Sequence, residues 1–503
     1  MSERSIEDRR PIRHRMWAAA LLVATLLAAM WPGAHAAAQE GAAADAESAA
    51  IAWLDGELAD NGGTLPGWVE GTVDWGLMGD FALARVATGR ASEPATGELA
   101  QRLVDNLAAY STWDDQEDTP GVRIAGAVAK VFLVAIGSGL DTTDVDGVDL
   151  EAELRSLMVT SGDQAGRFSD RNPYGPDYSL AIGQVWAMAA LATTDGGVPA
   201  EAVGFLLDQQ CPAGGFRLVY DGTPGCEDDT EADPDATALS VQALLAVERD
   251  DTLQEALTAA LDWLQGRQEP DGSFGGGAFT EAPNANSTGL IAQTMRAAGR
   301  TAVADAAATW VLGELFLGEG AEGTPASAEV GAIAYDPGAV DQVLASGIAE
   351  GGRDQWRRST AQGVLALGAA PLAPVVGELP DEGGPVSTTS STTTSTSTTT
   401  STTVPTEAPT TTIDTAADAS ATTSTVPADP GAVVGGTSAS SPTVLAASSG
   451  AGSYTSSGGA SLAHTGTEGA PLVTVAVAML VVGGLLLGAS ASRRRTVRSS
   501  GSA

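Results

Sequence analysis

Histidine is almost missing from this chain: there are three in 503 residues. His14, His35 and His464 all lie outside the long helical middle, so that middle has no imidazole to serve as base, nucleophile partner or metal ligand. Lysine is scarcer still, with Lys130 standing alone, which disfavours Schiff-base and Ser/Lys chemistry. Basic charge is short overall, 25 basic residues against 63 acidic for a net charge of -38, and a nucleic-acid backbone is therefore no partner. Neither metal nor cofactor is expected. Any catalysis would rest on carboxylates, with Tyr or Arg assisting. The only two cysteines, Cys211 and Cys226, sit in one loop. In an exported chain they predict a disulfide, which for a loop of this size contributes about 3 kcal/mol.

What is present divides the chain into four parts. Residues 1–38 read as a signal peptide: a basic start (Arg9, Arg10, Arg13, Arg15), an apolar run from Met16 to Trp31, and small residues suited to cleavage. Residues 46–370 are helical. From 371 to 461 the chain is rich in Ser, Thr and Pro, has too little apolar surface to offset its ordering entropy, and reads as a disordered stalk. Residues 462–503 hold Leu462-Ala463-His464-Thr465-Gly466, an apolar stretch over 471–489 that predicts a transmembrane helix, and a basic tail beginning Arg493-Arg494-Arg495. The order pentapeptide, span, basic tail resembles the cell-wall sorting signals of Gram-positive bacteria. The resemblance implies a sortase that cuts between Thr465 and Gly466 and joins the chain to peptidoglycan. Ala463 stands where the usual pattern has Pro. The implied location is extracytoplasmic, on the wall or membrane of such a bacterium.

The middle repeats. Leu257, Ala260, Leu261 and Leu264 follow the spacing of one helix face. A glycine-rich loop, 268–277, separates this helix from a second one that starts near Asn286 and stops at Gly299. The same helix–loop–helix can be laid down about six times, roughly every 50 residues, as in repeat architectures. Second helices such as 236–245 are apolar nearly all round and predict burial on every side; first helices are one-sided. The expected fold is all-α, an (α/α)6 toroid with second helices inside and first helices outside.

Gln210-x-x-x-Gly214-x-Phe216 and Gln268-x-x-x-Gly272-x-Phe274 resemble the Gln–Gly–Trp repeats of the terpene-cyclase and prenyltransferase superfamily. Asp233-Pro234-Asp235-Ala236-Thr237-Ala238 resembles the Asp-x-Asp-Asp-Thr-Ala acid motif of squalene-type cyclases. That resemblance implies Asp235 as an acid that protonates an isoprenoid double bond. Ala236 departs from the motif, and the chain has one toroid where those cyclases have two domains. Zinc prenyltransferases need a His, and thioester domains need a Cys-Gly-Glu-Gln sequence that is absent.

If the inner helices run parallel, their N-termini share one rim. Asp74, Asp177, Asp233 and Asp235, with Tyr174, Tyr178 and Tyr220, are the ligand-binding candidates there, in reach of long loops. Capping of the second helices also accounts for Asp74, Asp177, Asp235 and Asn286. Glu227-Asp228-Asp229 lacks the calcium-loop pattern and reads as a solvated acidic loop. The first reading is a surface-anchored toroid that binds a small molecule, a glycan or a surface partner without catalysis. The alternative is a carboxylate-dependent enzyme, either a polysaccharide hydrolase or lyase, or a degenerate terpene cyclase using Asp235 with Asp233.

Overall fold

The computed structural model describes residues 32–67, 71–112, 121–220, 222–278 and 280–380. The expected sorting signal, the 471–489 span, most of the signal peptide and the stalk beyond 380 lie outside them. Among the described residues no helix is long and apolar enough to cross a membrane. The chain divides into two units, and the one described below is the helical body; the other, 384–455, falls in the undescribed region.

Outer and inner helices alternate along the body. The outer set is α1 (Pro32–Asp60), α3 (Pro94–Asp105, continued by the short α4, Leu107–Ser111), α6 (Leu150–Ser156), α8 (Ala200–Asp208), α10 (Asp251–Gln265) and α12 (Thr301–Trp310). The inner set is α2 (Trp75–Ala87), α5 (Ala125–Gly137), α7 (Ala181–Leu191), α9 (Pro234–Leu245), α11 (Ala285–Ala297) and α14 (Arg353–Gly363). A further helix, α13 (Pro337–Ser346), lies in the last long loop. Every residue of α7 and α9 is buried, whereas α10 buries only one face. That contrast is why one set can sit inside the other. Each inner helix touches the next, and α14 touches both α11 and α2, so the contacts close a circle. The first outer helix, α1, packs on the last inner one.

The repeated motif residues make the joints. Gln268 Nε2 donates to Gly272 O at 3.0 Å within its own loop and to Val303 O at 2.9 Å on the next outer helix; Gln210 does the same for Gly214 O and Ala256 O, both at 2.8 Å. Gly272 has φ +97°, and a Cβ there would lie 2.5 Å from Ala306 O. Only glycine permits that backbone and that approach. Gly331 repeats the joint at the seam, where a Cβ would lie 2.4 Å from Ala49 O on α1. The Thr237 hydroxyl accepts from Phe216 N and the Thr288 hydroxyl from Phe274 N, which ties each buried loop aromatic to an inner helix. Cys211 and Cys226 form a disulfide across the loop that carries Phe216. The short strands Phe216–Arg217 (β1) and Ala232–Asp233 (β2) pair antiparallel, with Phe216 opposite Asp233.

The helix α1 begins at Pro32, within the stretch read as a signal peptide. The stalk does not start at 371. Ala370 N donates to Ala87 O, Leu372 N to Gln242 Oε1, and Val376 N to Leu245 O, while Ala373 is buried. This short apolar strip satisfies backbone carbonyls at the ends of α2 and α9 that a helix C-terminus otherwise leaves open.

Candidate functional site

The starts of the inner helices are tied to the loops that lead to the next inner helix. Asp170 Oδ1 accepts from Ala125 N, the first residue of α5; Ala181 N at the start of α7 donates to Leu218 O; Ala285 N at the start of α11 donates to Tyr335 O. Asp74, which caps α2, pairs with Arg358 of α14. A shared rim therefore exists, but most of the candidate acids on it are already engaged.

Asp74 Oδ1 caps Leu77 N and its other oxygen meets Arg358. Asp177 accepts from Ser169 Oγ (2.6 Å), Asp170 N (3.0 Å) and Ser179 N (2.9 Å), and pairs with Arg167 at 2.9 Å. It does not cap α7, whose N-cap is Leu180. Tyr220 is buried, edge-on to Phe205 at 5.1 Å and beneath the Arg167 guanidinium, so it packs the core. Tyr174 is 67% exposed on its loop. Tyr178 is half-buried beside Asp177. Asp228 accepts from Thr230 N and Asp229 from Ala213 N, and among the described residues no cluster of acids, His or Cys is placed to hold a metal.

Asp233 and Asp235 are the pair the structure sets apart. The cap of α9 is Asp233, whose Oδ1 accepts from Ala236 N at 2.8 Å, not Asp235. The equivalent cap of α11 is Asn284, not Asn286. Asp235 and Asn286 are thus second residues of their helices, facing inward, and capping does not account for either. Asp235 is 2% exposed. Its Oδ2 accepts from Ser287 Oγ at 3.2 Å, and its buried Oδ1 has no partner. Asn286 Oδ1 is likewise buried without a partner. Burial, then the neighbouring Asp233, hold the Asp235 carboxyl well above its ordinary range, against which the Ser287 hydroxyl works. Burial also raises Asp233, but backbone N–H groups of Ala236 and Asp235 favour its charge. The proton of the pair therefore belongs on Asp235. Burial, with the carboxyls of Asp235 and Asp336 nearby, pushes the Tyr335 hydroxyl up to about 12.

A glycine hairpin roofs the pair. A Cβ on Gly276 would lie 2.8 Å from Asp235 Oδ2 and 2.7 Å from Ser287 Oγ, and one on Gly277 would lie 1.9 Å from Asp233 Oδ2. Sequence reasoning missed Ser287 and Tyr335, and read Asn286, the residue matching Asp235, as a cap. Ser287 had a signal: the same alignment of repeats puts it at the place of Ala236.

Away from the pair, Lys130 Nζ meets Asp80 Oδ1 at 2.6 Å and lies 4.0 Å above the Trp186 ring, filling the space between α2, α5 and α7. Two shallow concavities of about 540 and 450 Å³ lie on the outer surface, one on α10 and one at the α1 seam, and neither is lined by the acid pair.

Asp170 is a second unusual carboxyl. Burial, with Asp177 adding to it, raises its pKa to about 6 despite the N–H groups of Ala125 and Tyr178. A raised folded-state value favours the protonated protein, so Asp170 costs stability as pH climbs from about 4 through 6. Asp170→Asn should match the native protein near pH 4 and exceed it by about 3 kcal/mol above pH 6. Melting temperatures across that range check this; a difference that stays flat would mean Asp170 titrates normally.

No protein-family model matches the chain, and no curated protein matches it. Solved structures do. A type II terpene cyclase from Scytonema, in complex with its product merosterolic acid A, is similar over 65% of this chain and 97% of its own, at 14% identity and a TM-score of 0.43. A protein from Actinoplanes is similar over 64% and 98%, at 17% identity and a TM-score of 0.40. The ent-copalyl diphosphate synthase of Streptomyces platensis is similar over 62% of this chain and 53% of its own, at 20% identity and a TM-score of 0.35. The contacts described above define the described body of the chain as a mostly helical ring of paired helices.

Proposed function

We propose that this ring is an acid-initiating enzyme of terpene-cyclase type, in which Asp235 protonates a carbon–carbon double bond of an apolar substrate. One observation carries the reading: Asp235 is 2% exposed and its Oδ1 has no hydrogen-bond partner. A carboxyl kept neutral by its surroundings is a stronger proton donor toward a substrate than one already ionised in water. Asp233, with its charge held by backbone N–H groups, would favour the cationic species that follows. The resemblance of residues 233–238 to the cyclase acid motif agrees in the position of the acid. Incubating the protein with linear polyprenyl substrates and analysing for cyclised products tests the reading, with Asp235→Asn as control. If the native protein converts none of a panel spanning short to long chains, the proposal fails.

A second reading, ligand binding without turnover, is favoured by Ala236 in place of the motif's next acid and by Lys130 and Trp186 filling part of the interior. It predicts uptake of a small molecule or glycan that Asp235→Asn leaves intact.

The chain's address is proposed from its ends. Export fits the Cys211–Cys226 disulfide, which persists in oxidising compartments. Sortase and peptidoglycan are the proposed partners at 462–466, and the membrane is the proposed partner at 471–489. Thr465→Ala should shift the protein from the wall fraction to the membrane fraction. Unchanged wall attachment would reject the sorting signal.

A further inference from the structure

We infer that Ser287, contributed by the next inner helix, is a positioning residue that stands in for the acid missing at Ala236 and directs the Asp235 proton onto Oδ1. This rests on the acid reading of Asp235 and adds a residue to it. Ala236 follows Asp235 where the cyclase-type motif has a further carboxyl, so α9 itself offers nothing at that place. The repeat after it does. Ser287 is the third residue of α11, as Ala236 is of α9, and its hydroxyl reaches back across 52 positions to Asp235 Oδ2 at 3.2 Å.

The direction of this hydrogen bond decides where the acid's proton sits. Ser287 is 1% exposed, and among the described residues its Oγ bonds to nothing except Asp235 Oδ2. The pair has two hydroxyl hydrogens and one hydrogen bond, so either direction leaves one buried hydrogen without an acceptor in the protein. With Ser287 as the donor, that hydrogen sits on the acid rather than on the serine, as the acid reading of Asp235 requires, and Oδ2 is the carbonyl oxygen of the neutral acid. That leaves the proton on Oδ1, the oxygen for which no protein group competes. A partner for a proton that the protein itself leaves unclaimed is what a substrate double bond would provide. Two backbone features hold the arrangement. Asn284 Oδ1 accepts from Ser287 N at 2.9 Å, which fixes the serine in the first turn of α11. Gly276 lies so close to both Oδ2 and Oγ that no side chain can come between them.

The test reads the carboxyl directly and needs no substrate. In infrared difference spectra of the intact protein at neutral pH, Asp235→Asn should remove one protonated-carboxyl band. Ser287→Ala should move that band to higher frequency, as a carbonyl does when it loses a hydrogen bond, and raise the pH at which it disappears. Ser287→Thr, which keeps the hydroxyl, should restore both. If Asp235→Asn removes no protonated band, the acid reading and this inference fall together. If the band exists but Ser287→Ala leaves its frequency and titration unchanged, the acid reading survives and the role of Ser287 is overturned. A thermal melt of each variant separates these outcomes from unfolding, and Ser287→Thr carries the test should Ser287→Ala not fold.

Discussion

Asp235→Asn removes turnover of any polyprenyl substrate the protein converts, by about 10²–10⁴-fold or to background, while leaving the fold intact. The amide has the shape of the neutral acid, so Ser287 Oγ still finds an oxygen at Oδ2 and the Gly276 roof still fits. It has no transferable proton. Stability should hold or rise, because burial of the native carboxyl works against the folded state as pH increases above its unfolded value. The same sign makes a second measurement available: the acid-dependent step should persist at neutral pH, where an ordinary carboxyl would be ionised. Product analysis together with a thermal melt checks both halves. Retained turnover in a folded Asp235→Asn protein would remove Asp235 from the chemistry.

The largest effect on stability is expected at the seam. Glu57 on α1 is 4% exposed and takes Arg357 Nε at 2.7 Å and Arg353 Nη2 at 2.5 Å, both from the other end of the ring. Arg353 Nη1 also reaches Glu329 Oε1 at 3.0 Å, and Glu329 accepts from Trp53 Nε1 at 2.9 Å. Glu57→Ala leaves the buried Arg357 without its counter-charge, and breaking a buried pair from one side costs about 3–5 kcal/mol. Chemical denaturation measures this, with the first and last repeats losing amide-exchange protection before the middle ones. Burial pushes the Glu57 carboxyl up, but the two arginines outweigh it and hold the pKa below its ordinary value of 4.5. Its contribution is therefore present above pH 4.5 and lost as pH falls through the lowered value, the opposite sense to Asp170. A Glu57→Ala protein as stable as the native one would show that packing alone closes the ring.

Much of the architecture was legible in the residues. Apolar spacing marked outer helices such as α10, all-round apolarity marked inner ones such as α9, and the Gln–Gly–Phe loops marked the turns between them. These signals are short-range: period, capping and positive-φ glycine each act within a few residues. The cysteine pair was legible too, since two cysteines in one loop leave a single pairing. What the residues could not show was the state of each acid. The motif resemblance named Asp235, with Asp233, as the enzyme candidate, but Asp74, Asp177, Asp233 and Asp235 were all expected on one rim, and the cap was expected two positions late, at Asp235 and Asn286.

Only the tertiary structure separated them, because a carboxyl's state depends on what packs around it and not on its neighbours in sequence. Arg358 reaches Asp74 from 284 positions away, and Ser287 reaches Asp235 from 52. The sequence by itself determined the repeating helices, their inner and outer faces and the glycine turns between them, all of which are local. Closure through Glu57, the strip that seals the ends of α2 and α9, and the unclaimed oxygen of Asp235 were decided by contacts between distant segments, whose energies exist only once the ring has formed.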